Sequence, residues 1–296
     1  MILDLRDMIA AAREGGYALP VFDVAGIALA RSAVETAAEC ASPVVIHPTR
    51  DADLLMPAVV ALANRVSAPV APVMGGIATV DHAAEAIRLG AHGLILADGH
   101  DPAVAGLAEA CGVALLTPPS RRLRDNDAPP PGLAWFGDIL AESSGIPASN
   151  RMVNGAPIPW TDLVDIAANA ARGRTASCIA RCGSSGRLRV LEGQCRRRRE
   201  VDHVVLYNAA GADDAEVEAM VREGVRQLGA IPGVRRVFAG RAVGAGARYT
   251  HAWVVRFSSE GVIALYRDHP AHVAFADGRF RPLADDRMTI DFIDER

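Results

Sequence analysis

Residues 18–24, Ala-Leu-Pro-Val-Phe-Asp-Val, read as a buried strand, and Ile27–Ala41 behind them reads as a helix. The pair recurs: strand Pro43–His47 with helix Leu54–Val66, strand Pro69–Met74 with helix Val80–Leu89, strand Gly93–Ala97 with helix Ala103–Ala110. A fifth strand reads at Val113–Leu116. Strands that are apolar throughout, rather than at alternate positions, belong to a parallel sheet covered on both faces. Both a (β/α) barrel and a doubly wound sheet fit this repeat.

Beyond it the pattern decays. Ser120–Gly132 carries charges and a triple proline, a loop composition. Leu133–Ile139 reads as a strand, Trp160–Ala171 as a helix, and Ala176–Ala180 and Leu188–Leu191 as strands with no room for a helix between them after Gly183. A complete eight-unit barrel takes about 250 residues, with roughly 200 as the lower limit, so residues 1–199 are expected to lack or shorten some helices. Arg196–Arg199, four arginines without interleaved aromatics, reads as a solvated linker.

After the linker the periodicity changes. His203–Tyr207 is a strand, and Asp213–Gly229 a helix with Val217, Met220, Val221, Val225 and Leu228 on one side. Val234–Arg241 and Thr250–Phe257 alternate as half-buried strands do. Ser259–Arg267 is helical and Met288–Ile293 closes the pattern. The order β-α-β-β-α-β predicts a ferredoxin-like α+β sandwich over 200–296, with one sheet face left for a second copy. The expected class is α/β plus α+β: a truncated or degenerate TIM-type (β/α) barrel, then a ferredoxin-like dimeric α+β barrel domain.

Composition removes several chemistries. All 31 basic residues among the 296 are arginine. Without lysine there is no Schiff-base aldolase, no pyridoxal phosphate enzyme, no ordinary P-loop and no protein kinase. A net charge of -4 argues against nucleic acid as a partner. No apolar run approaches a membrane span of about 18 residues, and the acid-containing N-terminus lacks a signal core, so a cytoplasmic location is expected. Cys40, Cys111, Cys178, Cys182 and Cys195 are odd in number and irregularly spaced, which suggests neither a disulfide framework nor a zinc site.

The segment Gly15-Gly16-Tyr17-Ala18-Leu19-Pro20-Val21-Phe22-Asp23 resembles the opening of class II, metal-dependent fructose-bisphosphate aldolases. Ser42-Pro43-Val44-Val45-Ile46, then Pro69-Val70-Ala71 with Ile87-Arg88-Leu89-Gly90, follow the same family in order. The resemblance implies a His-x-Asp-His metal segment, but here that segment reads Val73-Met74-Gly75-Gly76. No metal and no cofactor is therefore expected. Cys182-Gly183-Ser184-Ser185-Gly186 resembles the family's phosphate loop, so Gly183 and Ser184 are candidate substrate-binding residues. Asp23, His47 and Asp98 fall near the carboxyl ends of strands, where such folds bind substrate, and join them as candidates.

His203-Val204-Val205-Leu206, Ile231-Pro232-Gly233-Val234, Tyr249-Thr250-His251-Ala252 and His269-Pro270-Ala271-His272-Val273 resemble the stress-responsive dimeric α/β-barrel (Dabb) family. Within it the segment is similar to plant polyketide cyclases of the olivetolic acid type, which close a polyketide thioester by an aldol condensation without metal or cofactor. That resemblance implies catalytic roles for Tyr266 and His272, with His203 and His251 as further strand histidines. An aldol closure needs a base to take a proton α to a carbonyl and a donor for the developing oxyanion. A histidine and a tyrosine meet those needs, provided a turn at Pro270 brings Tyr266 and His272 together.

Three readings follow. The favoured one is a metal-independent acid/base enzyme on a carbonyl-rich small molecule, a polyketide-type cyclase or a C–C lyase of specialised metabolism. In the second, the aldolase-like pocket handles a phosphorylated or carboxylated substrate and the second domain dimerises the chain. The third is a non-catalytic binding or scaffold protein.

Overall fold

The computed structural model describes residues 1–14, 19–39, 41–117, 134–137, 150–153, 199–209, 211–244, 246–284 and 286–293. The chain divides into two compact units, Met1–Glu109 with Val113–Arg198, and Ala110–Gly112 with Arg199–Arg296.

In the first unit α1 (Leu5–Glu14) precedes β1 (Leu19–Val24), α2 (Ile27–Glu39), β2 (Val44–Pro48), α3 (Ala52–Ala63), β3 (Val70–Ile77), α4 (Val80–Leu89), β4 (Gly93–Leu96), α5 (Ala103–Ala110) and β5 (Ala114–Thr117). Two short strands follow, β6 (Ala134–Gly137) and β7 (Asn150–Val153). Every residue of β2 is buried, as expected of a strand covered on both sides. α4 starts where Thr79 accepts a hydrogen bond from the His82 N–H, and ends at Gly90, whose φ of 112° an L side chain resists.

Neighbouring strands are parallel from β1 to β6, in sequence order. That order has no switch point, which removes the doubly wound alternative. β7 runs antiparallel to β6 and also to β1, so the order returns on itself through a reversed strand. The eightfold parallel ring of a TIM barrel is not what the described residues form. A βα repeat keeps neighbouring strands parallel, and the antiparallel β7 departs from it. This is where the regular repeat in the sequence stops.

Strand alternation builds two apolar layers. Phe22, Val24, Val44, Ile46 and Val70 pack with Ala30, Val34, Leu55 and Val59 of α2 and α3. Val21, Val45, Ala71, Val73 and Ile95 face the other way and pack with Leu5, Met8, Ile9 and Ala12 of α1. Leu5 lies over Gly93, where an added Cβ would come within 2.6 Å of its Cδ2. Asp23, His47 and Gly75 continue this second face by the period of two, toward the carboxyl ends of their strands.

The second unit is β8 (Val201–Tyr207), α6 (Asp214–Gly229), β9 (Val234–Arg241), β10 (His251–Phe257), α7 (Val262–Asp268), α8 (Pro270–Phe275), a π-turn (Ala276–Phe280) and β11 (Arg287–Ile293). The sheet order is β11-β8-β10-β9, antiparallel throughout, as in a ferredoxin-like domain. Asp213 and Glu216 form a reciprocal capping box at the start of α6. The helix expected over Ser259–Arg267 starts only at Val262, and α8 follows it directly. Pro270 has no N–H to continue α7 and occupies the first turn of α8, where none is needed. The His269 side chain caps α8 by accepting from the Ala271 N–H at 3.2 Å.

One sheet face carries His203, Val205 and Tyr207 of β8 and Trp253, Val255 and Phe257 of β10, in register. It packs beneath the helices: Gly224 of α6 stands against Trp253 and Phe275. On the opposite face Phe238, Val254, Val204 and Ile290 form one row across all four strands. Phe238, Met288, Ile290 and Phe292 of that face are exposed.

Candidate active site

Six residues of continuous helix would turn Tyr266 and His272 to different faces. The break at Pro270 prevents this, and the two rings meet with centroids 4.4 Å apart. His203 rises from β8 beneath them, its ring centroid 5.8 Å from that of Tyr266. Phe257 of β10 forms the floor, 4.9 Å from Tyr266 and 5.8 Å from His203. Three of the four predicted catalytic residues thus form one cluster.

The fourth does not join it. His203 lies on β8 and His251 begins β10. The strands are antiparallel, so His203 faces Val255 while His251 faces Tyr207. Four pair positions at about 3.4 Å per residue separate them. His251 stacks on Tyr207 at 5.3 Å and its Nδ1 contacts Thr250 Oγ1 at 2.9 Å. Burial, helped by the Arg241 guanidinium, lowers its pKa, and burial pushes the Tyr207 hydroxyl up to about 12.

Two hydrogen bonds fix the ring nitrogens in the cluster. His272 Nδ1–H donates to the Arg267 carbonyl at 3.0 Å, since a carbonyl can only accept, and Nε2 is left as the basic nitrogen. His203 Nδ1 lies 2.7 Å from Asp291 Oδ1, so a carboxylate orients this ring in the same sense. Burial holds the His272 pKa below the ordinary histidine value; the Arg267 carbonyl opposes that, and His203 and Arg281 add to it. His272 is thereby neutral near pH 7. Tyr266 is 4% exposed, and burial raises its pKa well above the usual range, which keeps the hydroxyl a donor.

Asp291 is the residue that sequence reasoning missed. Its signal is faint: between apolar Ile290 and Phe292, an acid in strand alternation belongs to the helix-covered face.

In the first unit Asp23 and His47 are brought together. They face each other across β1 and β2, and Asp23 Oδ1 lies 2.8 Å from His47 Nδ1. Asp98 does not join them: it is exposed in the turn after β4. Gly183 and Ser184 lie outside the described residues. The metal of class II aldolases does not fit what is present. Val73, Gly75 and Gly76 stand where the family's His-x-Asp-His segment falls and carry no donor side chain, and a Cβ added at Gly75 would fall 2.6 Å from His47 Nε2. Among the described residues no group of three or more His, Cys, Asp or Glu could hold a metal ion. Nor is any described helix long and apolar enough to cross a membrane.

An antiparallel four-stranded sheet with a histidine–tyrosine cluster under two broken helices defines a ferredoxin-like α+β domain with a polar centre. Residues 201–294 match the stress responsive A/B barrel domain (Dabb), and residues 3–101 match class-II fructose-bisphosphate aldolase. The chain therefore joins a class II aldolase-like domain to a C-terminal Dabb domain. Among solved structures it is similar to a Dabb family protein with a ferredoxin-like fold from Mesorhizobium loti, at 24% identity over 33% of this chain and 98% of that one, TM-score 0.31. It is also similar to a dimeric ferredoxin-like protein of unknown function from Thermobifida fusca, at 25% identity over 32% and 91%, TM-score 0.30. The YdjI aldolase of Escherichia coli K12 is similar at 18% identity over 40% of this chain and 50% of that one, TM-score 0.37. No curated protein matches the chain.

Proposed function

We propose that the chain is an acid/base enzyme acting on a carbonyl-rich small molecule, with residues 200–296 carrying the chemistry. The reaction class is polyketide-type aldol cyclisation, or the C–C cleavage that reverses it, in specialised metabolism. The observation that supports it is the cluster of Tyr266 and His272 over the Asp291-oriented His203. His272 Nε2 takes the proton α to one carbonyl. The Tyr266 hydroxyl donates to that carbonyl oxygen as charge develops there, which a buried donor does well. The enolate carbon then attacks a second carbonyl of the same substrate, and the proton passes to the new alkoxide. His203 positions or relays, and His251 lines the far end of the same sheet face. The scheme uses neither metal nor cofactor.

The chain works as a homodimer in this proposal, with the apolar row through Phe238 and Ile290 covered by a second copy. Residues 1–199 are then a truncated TIM-type barrel whose last described strand has reversed; six parallel strands in sequence order favour that reading. On a linear β-polyketo thioester, Tyr266→Phe and His272→Ala are each expected to lower turnover at least about tenfold, a floor below the roughly 10²–10⁴-fold that general acid–base catalysis contributes. The dimer should persist in both. Full turnover by both variants would leave the cluster a structural feature of a binding or scaffold domain.

A further inference from the structure

We propose that Tyr207, His251 and Trp253 form a second ligand site, at the far end of the helix-covered face of the Dabb sheet, for the uncharged hydroxyl group of a phenol or an enol. The strand register sets Tyr207 of β8 opposite His251 of β10, four pair positions from His203. Trp253 stands two residues along β10 from His251, on the same face. Among the described residues, His251 Nε2 and Trp253 Nε1 are both buried and without a hydrogen-bond partner. Trp253 is 3% exposed. Buried polar groups are paired in the great majority of cases, so orphans on two neighbouring side chains point to a partner from outside the chain. The indole N–H also acts on the Tyr207 hydroxyl, opposing the rise that burial gives its pKa, without completing a hydrogen bond.

The neighbours of His251 decide which of its nitrogens carries the proton. Asn208 Nδ2 donates to the Arg248 carbonyl at 3.0 Å, which turns Asn208 Oδ1 toward Thr250. The Thr250 hydroxyl gives its one proton to that oxygen at 3.2 Å, so in its 2.9 Å contact it accepts from His251 Nδ1–H. Nε2 is then the acceptor, on the side of the ring turned away from Thr250. Burial, and then the Arg241 guanidinium, keep the ring neutral near pH 7. The ligand class follows. A single hydroxyl gives its proton to Nε2 and takes the indole N–H on its oxygen; a carboxylate or a ketone has no proton to give. The surroundings are aromatic and suit a flat group: His251 stacks on Tyr207 at 5.3 Å, and Phe280 meets Tyr207 edge-on at 5.0 Å. Phe280 belongs to the π-turn Ala276–Phe280, a rare element that is frequent at functional sites. On a β-polyketo chain the matching group is an enol hydroxyl remote from the reacting carbons; that last step alone rests on the function proposed above.

The probes are phenol and anisole, its methyl ether, which keeps the ring and lacks the proton. Binding to the full-length chain is measured by calorimetry and by the ¹H–¹⁵N signal of the Trp253 side chain, assigned by its loss in Trp253→Phe. Phenol is expected to move that signal and to bind at least about tenfold more tightly than anisole, which leaves His251 Nε2 unpaired. His251→Phe keeps a ring against Tyr207 but removes the acceptor, and should abolish the preference for phenol. Equal binding of the two probes by the parent chain would leave an apolar slot only and overturn the proposal. So would a Trp253 signal that phenol does not move, or a preference that survives in a folded His251→Phe protein. Phenol binding that is lost in His272→Ala and kept in His251→Phe places the ligand at the other centre and also overturns it. If the His251→Phe chain does not fold, the parent's preference and the Trp253 signal decide. None of these measurements needs turnover, so full activity in Tyr266→Phe and His272→Ala would sink the cyclase reading and leave this site standing.

Discussion

A carboxylate 2.7 Å from an imidazole nitrogen decides which nitrogen carries the proton, and Asp291 does this for His203. Asp291→Asn keeps the shape, but an amide can meet the ring through either its N–H or its oxygen, so the tautomer is no longer imposed. We expect turnover to fall about tenfold with the fold unchanged, less than the roughly 10²–10⁴-fold carried by the acid–base group itself; equal turnover would show that His203 needs no orientation. The pH dependence follows from His272. Its folded pKa is below the unfolded value, so in acid the unfolded chain takes up the proton first. Its stabilising contribution is present above about pH 6.5, the ordinary histidine value, and is lost as pH falls through the folded pKa. His251 has the same sign. Denaturant midpoints should therefore fall between pH 7 and 5, and fall less in His272→Asn; a steeper fall in the variant would reverse the sign. Tyr266 and His272 were legible because a short motif with a proline between them carries both. Asp291 was not, because its partner is 88 residues away and only strand register unites them.

At the scale of elements, a glycine sets how closely α6 lies on the sheet. Gly224 lies inside α6, where alanine would ordinarily gain about 1 kcal/mol of helix propensity. A Cβ there would fall 2.5 Å from Phe275 Cζ and 2.7 Å from Trp253 Cη2. Overpacking of this kind costs about 1–3 kcal/mol, so the clash wins. Gly224→Ala should lower the thermal midpoint, and any rise would mean that α6 slides freely over the sheet. Asp213→Ala removes half of a capping box and should cost about 1 kcal/mol, read as a shift in denaturant midpoint at constant slope. The βα repeat through β5 was legible because uninterrupted apolar runs and helical periods alternate there. α1 went unread although Leu5, Met8, Ile9 and Ala12 carry the i, i+3, i+4, i+7 spacing. Its face belongs to the inner layer rather than to a βα unit. β7 was not legible at all: four residues hold too little periodicity to announce a reversal of direction.

On the scale of the whole molecule, the sheet of the Dabb domain has two unlike faces. Helices cover one, and the other shows Phe238, Met288, Ile290 and Phe292 to solvent. The open face was foreseeable from the β-α-β-β-α-β order, whereas its continuous apolar row is visible only once the register is known. Phe238, Val254, Val204 and Ile290 lie side by side across β9, β10, β8 and β11. A twofold contact is isologous, so one substitution places two identical charges in the same interface. Phe238→Glu and Ile290→Glu each add a carboxylate at a position exposed in the single chain, 48% and 41% respectively, so the domain itself should tolerate them. In a dimer each carboxylate would be desolvated beside an apolar row, at a cost large against the marginal stability of such contacts. Sedimentation should give a dimer for the parent chain and a monomer for either variant. The thermal midpoint of the parent should rise with protein concentration and that of the variants should not, because only a dimer links folding to association. Variants that remain dimeric with a concentration-dependent midpoint would place the contact elsewhere on the chain.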